Sequence, residues 1–165
     1  MDTYVNWNSP EISDLTLKQV YQQANLDRQE DIHWIVKTFE NPKSPIALPG
    51  KISLHNHDCI HIILGKGITP EDEAFVIGFT MGNDTKTKFW HIKLFKFLSR
   101  FIYPPNYRFN DRETKIFDLG FRYGQNLLFR NINSISFDDF YNYKINDLRA
   151  LLAININTID SLSEA

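Results

Sequence analysis

Cysteine is almost missing from this 165-residue chain, and the one present, Cys59, excludes an internal disulfide framework and points to a reducing compartment. Long hydrophobic runs are missing too: no stretch approaches the roughly 18 apolar residues of a membrane-spanning helix. The opening Met1-Asp2-Thr3-Tyr4 has neither the basic nor the apolar segment of a signal peptide. We therefore expect an intracellular chain, soluble or held peripherally at a membrane. Charge of one sign is lacking as well, because 18 basic residues face 20 acidic ones for a net −2 and a pI near 6.2. No general basic field exists to hold nucleic acid. Alternation of apolar and polar residues, internal repeats and low-complexity blocks are all absent, which leaves an all-α, single-domain helical bundle as the expected fold.

What the chain does have is apolar surface in helical rhythm. Aromatics make up 14% of it, with 13 Phe and 7 Tyr, enough for a large interior or a lipid pocket. Residues 13–24 carry Leu15, Leu17, Val20 and Tyr21 at helical spacing, and Asp27 with Glu30 forms a capping box for a helix over 27–41. Pro42, Pro45, Pro49 and Gly50 mark a loop. Further helices are expected over 52–64, over 70–81 with Gly82-Asn83-Asp84 as its stop, and over 86–103 before Pro104-Pro105. Asn110 with Glu113 caps a helix over 110–129, and Ser136 with Asp139 caps the last, which carries Phe140, Tyr143, Leu148 and Leu151. The Gly120-x-x-x-Gly124 spacing predicts close helix packing. The domain is expected over 1–154, and the polar tail over 155–165 is expected to be disordered.

The most informative stretch is His57-Asp58-Cys59-Ile60-His61. On a helix, His57 and His61 lie one turn apart on one face with Asp58 on the flank, so three potential metal ligands share a narrow arc on an otherwise core-seeking segment. Burying them without partners costs several kcal/mol, roughly, and a cation removes that cost. Gly65-Lys66-Gly67 stops this helix, Thr69-Pro70 starts the next, and Glu73 falls in its first turn, where a short connection folds back over its predecessor. The expected architecture thus includes a helix-loop-helix metal site of His57, Asp58, His61 and Glu73. Mixed nitrogen and carboxylate ligation suits zinc or iron and admits manganese, cobalt or magnesium.

The string His57-Asp58-x-x-His61, eleven intervening residues, then Glu73, resembles the metal-site signature of the Coq4 family of ubiquinone-biosynthesis proteins. Gly65 and Thr69 at the turn, and Leu148-Arg149 followed by Leu151-Leu152-Ala153-Ile154, are also similar to that family's pattern. Likeness is densest over 57–83 and weaker to about 154, and the region before the motif is shorter than the family's. The resemblance implies a divalent metal beside an apolar cavity that binds a prenylated aromatic or other isoprenoid lipid. It further implies a role in quinone-ring modification, with decarboxylation of a polyprenyl-benzoate as the attributed activity and His57, Asp58, His61 and Glu73 as its residues. A place in a quinone-biosynthesis complex, lipid carriage or scaffolding without turnover, and a homodimer are implied in the same way.

An HD-type metal-dependent phosphohydrolase is the alternative enzyme; it needs a further histidine, for which His33 is the nominee, and a downstream acid, Asp111 or Asp118. His55 sits about 200° around the helix from His57 and is expected at the surface, while His33 and His91 are expected to be solvated and Cys59 to be a small buried hydrophobe. Over 86–103, Lys86, Lys93, Lys96 and Arg100 fall within about 80° of arc beside Trp90, Leu94, Phe97, Leu98, Phe101 and Ile102. That apolar face is expected to pack into the core, with contact to a membrane surface as the alternative.

Overall fold

Close packing of two glycine-bearing helices forms the centre of the molecule. The computed structural model describes residues 10–24, 43 and 47–164; the helix expected over 27–41, His33, Pro42 and Pro45 lie outside them. Among the described residues there are seven α-helices and no strand: α1 Leu17–Gln23, α2 Leu54–Leu64, α3 Pro70–Asn83, α4 Phe89–Phe97, α5 Asp111–Asn126, α6 Ile145–Leu151 and α7 Ile156–Glu164. The all-α bundle expected from the sequence is the observed one.

Helices α3 and α5 run parallel, since Phe75 meets Gly120 while Phe79 meets Gly124, and Gly78 meets Phe117 while Gly82 meets Phe121. A Cβ on Gly78 would stand 2.1 Å from the Phe117 carbonyl oxygen, and one on Gly120 2.1 Å from that of Phe75. Only hydrogen fits at such an approach. The Gly120-x-x-x-Gly124 spacing is therefore a packing motif as expected, and Gly78-x-x-x-Gly82 is its counterpart. Gly82 consequently does not stop α3, which runs to Asn83.

Helix α3 is apolar nearly all round because it divides two cores. On one side Phe75, Val76 and Phe79 join Ile60 and Ile63 of α2, Leu17 and Val20 of α1, Ile145 and Leu148 of α6 and Ile159 of α7. On the other, Ala74 and Met81 join Phe95, Leu98, Phe109 and Phe117. Beyond its end, fully buried Asn83 organises the loop after α5, donating through Nδ2 to the Phe129 carbonyl at 2.6 Å and accepting at Oδ1 from the Ile132 N–H at 2.8 Å.

Other boundaries differ from expectation too, among them the end of α5, which stops at Asn126 short of Phe129. Helix α1 starts at Leu17 rather than near Ser13, with a Thr16–Gln19 capping box, after a 3-10 turn over Pro10–Asp14. Its first free N–H groups, on Leu17 and Lys18, donate to the Tyr143 and Tyr141 carbonyls at 3.0 Å each. That pairing draws out the chain after Ser136, so the expected single helix becomes a 3-10 turn over Phe137–Phe140 and a separate α6. The tail expected to be disordered is helix α7, started by the Asn155 side chain accepting from the Thr158 N–H and anchored by fully buried Ile159. Finally, the helix expected over 86–103 starts at Phe89 and widens after Phe97 into a π-helical turn over Leu98–Ile102.

Candidate metal centre

Each ligand's place follows from the ends of two helices. Ser53 caps α2 by accepting from the Asn56 N–H, and Gly65, at φ 66°, closes it in the left-handed conformation that glycine adopts cheaply. Buried Arg149 of α6 donates from Nε to the Ile63 carbonyl at 2.8 Å, so a guanidinium satisfies the end of the motif helix. Thr69 caps α3 with Pro70 at its first position, and the Glu73 N–H donates to the Thr69 carbonyl at 2.9 Å. The five residues between α2 and α3 then hold the Glu73 carboxylate over the two imidazoles.

The three side chains converge. His57 Nε2 and His61 Nε2 stand 2.9 Å apart, with Glu73 Oε2 3.1 Å from the first and Oε1 3.3 Å from the second. Donor atoms on one ion with bonds near 2.1 Å stand about 3.0–3.4 Å apart, depending on coordination number, so these spacings fit a shared cation. Among the described residues, His57, His61 and Glu73 form the one histidine, cysteine and carboxylate group compact enough to hold an ion. Sequence reasoning missed the group that prepares them: the Gly67 carbonyl, 2.7 Å from His61 Nδ1, can only accept, so His61 carries its proton there and directs the Nε2 lone pair inward.

Charge is coupled across the triad. Burial alone would pull the His61 pKa down, but the Glu73 carboxylate, the Gly67 hydrogen bond and Asp58 outweigh it and leave it raised. Burial likewise pushes the Glu73 carboxyl up, and the charges and hydrogen bonds of His61 and His57 override it, holding it far below the usual carboxylate range. With two imidazole nitrogens and a carboxylate face to face, a proton or a metal ion can be shared at the centre of this arrangement.

Asp58 falls outside that group. It is buried and accepts from the Tyr21 hydroxyl at 3.5 Å, on the flank of α2 toward α1. His55 is not the surface residue expected: its ring packs edge-on to Tyr21 and Tyr141, with Nε2 3.0 Å from the Tyr141 hydroxyl and 3.1 Å from Asp138. Cys59 is buried on that same side, and burial first, then Asp58, pushes its thiol up, which fits a packing residue. His91 accepts from the Lys88 N–H at Nδ1 and so caps α4. Asp111 and Asp118, the nominees for a phosphohydrolase ligand, lie in ion pairs with Arg100 and Lys96.

No family model matches this chain, and no curated protein or solved structure is detectably similar to it. The class its fold and site define is a helical bundle bearing a two-histidine, one-carboxylate constellation.

Proposed function

We propose that His57, His61 and Glu73 hold a divalent cation with coordination positions left open, zinc or iron first by ligand type and manganese, cobalt or magnesium next. The observation that carries this is the convergence of the two Nε2 atoms and the carboxylate, with His61 already fixed in its ligating tautomer by Gly67. The function it best supports is that of a Coq4-like protein of quinone biosynthesis, presenting the ion to a prenylated aromatic or other isoprenoid lipid. Ring decarboxylation of a polyprenyl-benzoate is the reaction class, and binding or scaffolding of such a lipid without turnover is the alternative. When bound, the ion would supply Lewis acidity toward a carboxylate or phenolic oxygen. The chain's own contribution is to place two imidazoles and one carboxylate, fix the His61 proton on Nδ1, and keep Asp58 buried beside the site, where its charge acts on His61. A phosphohydrolase reading is weaker, because its nominated downstream acids, Asp111 and Asp118, lie in ion pairs with Arg100 and Lys96 while Glu73 joins the two histidines.

Elemental analysis and native mass spectrometry on one preparation, with organic extraction of any bound lipid, test the proposal. One equivalent of metal is expected in the wild type and none in His57→Ala or Glu73→Ala, with helical content retained. Equal stoichiometry in all three would overturn the assignment.

A further inference from the structure

The outer face of α4 and the turn after it contradicts the sequence expectation. Of the apolar residues expected to pack inward, Trp90, Phe97, Phe101 and Ile102 are exposed, as is Phe89, at 71%. The core instead takes Phe95, stacked on Phe117 at 5.0 Å, together with Leu98 and Tyr103. The π-helical turn sets this choice: the Tyr103 N–H reaches the Leu98 carbonyl, five residues back, at 2.9 Å, so Tyr103 rather than Ile102 follows Leu98 inward.

Cations intersperse the aromatics. Exposed Lys93 and Arg100 lie over the Phe89 and Phe101 rings at 4.6 and 5.9 Å, and Lys86 is exposed just before α4. From residue 85 to residue 110 there are six Lys or Arg and no Asp or Glu, although acids outnumber bases in the chain as a whole. Arg100 and Lys96 pair with Asp111 and Asp118 of α5, whereas Lys86 and Lys93 form no ion pair among the described residues; a face of aromatic rings beside such cations, on a helix too short and too charged to cross a bilayer, matches the headgroup region of an anionic membrane. A second copy of this chain fits less well, since a two-fold contact sets a patch against itself and would oppose like charges.

We propose that this face docks on an anionic lipid surface, with α4 lying in the plane of the headgroups, the aromatics entering the interface and the cations meeting lipid phosphates. Docking does not depend on the metal centre, so the two proposals fail separately.

The test is co-sedimentation of the full chain with vesicles of phosphatidylcholine alone or with about one-third phosphatidylglycerol. Binding to the anionic vesicles is expected, with little to the neutral ones. Each charge removed should weaken it about five-fold, hence about 25-fold in Lys86→Gln/Lys93→Gln. Phe97→Ser/Phe101→Ser, at exposed positions that leave the core intact, should weaken it at least ten-fold, and Glu73→Ala should bind like wild type. Absence of binding by the wild type, or binding that both double variants retain in full, overturns the proposal. If the wild type ignores the vesicles but forms a dimer that Phe97→Ser/Phe101→Ser dissociates, the face belongs to a second copy and the lipid assignment is overturned.

Discussion

His55 and His61 leave the same helix, α2, for opposite surroundings. His61 is 2% exposed and meets a carboxylate carried on the next helix, a second imidazole and a backbone carbonyl that dictates its tautomer. His55 has a side chain 30% exposed and meets Tyr141 and Asp138, whose own side chain is 67% exposed. In the first cluster every partner is fixed by a helix end or a five-residue turn; in the second, one partner is an acid on a surface turn. Rigidity of the partners, more than the identity of the residues, separates a candidate binding site from a packing contact.

The harshest way to break the comparison is to remove the scaffold both clusters share. Gly78→Ala places a methyl 2.1 Å from the Phe117 carbonyl oxygen, and neither backbone can give without parting α3 from α5. We expect a loss of about 3 kcal/mol or more in denaturant unfolding. Because α3 carries Glu73, metal retention should fall with it; an unaffected midpoint would show that the crossing is looser than described.

A sharper test isolates the charged triad. The Glu73 carboxyl is held low and the His61 imidazole high in the metal-free protein. A lowered carboxyl contributes stability that is complete above its unfolded value, roughly 4.3, and fades as pH falls toward the folded one. A raised imidazole contributes stability that is complete below its unfolded value, roughly 6.5, and fades as pH rises through the folded one. In chelator, the Tm margin of wild type over Glu73→Gln should therefore be widest between about pH 4.5 and 6.5 and narrow on either side. A margin flat with pH would mean that the carboxylate and the imidazole are not paired in solution.

These contrasts also mark what the sequence could reveal. The His57, His61 and Glu73 convergence was legible because it is local: helical period, a glycine stop and a Thr-Pro start encode it within 17 residues. Asp58 was grouped with them because spacing places it on the flank, and its partner Tyr21 comes from 37 residues away, where no local pattern points. His55 was misplaced for the same reason, its contacts lying 34 and 86 residues distant. Which face of α4 turns inward depended on the Phe95–Phe117 stack and on a widened turn that shifts the register by one residue, neither of which a 100° wheel can express. The short α7 had too few turns for its Ile156 and Ile159 to read as periodic.

The gentlest change bears on the other cluster. Tyr141→Phe removes the hydroxyl that stands 3.0 Å from His55 Nε2 while leaving both rings in edge-on contact, so the loss is one part-buried hydrogen bond, about 1 kcal/mol of folding stability. His55 keeps Asp138 at 3.1 Å, so its ring should stay in place. Zinc affinity, measured by competition with a chromophoric chelator, should match wild type within two-fold, because the Tyr141 side of α2 shares no ligand with the triad. Asp58 spans both sides, since it adjoins Tyr21 and also raises His61. A ten-fold change in zinc affinity on Tyr141→Phe would therefore mean that Asp58 couples the two clusters, and that the two faces of α2 act as one site.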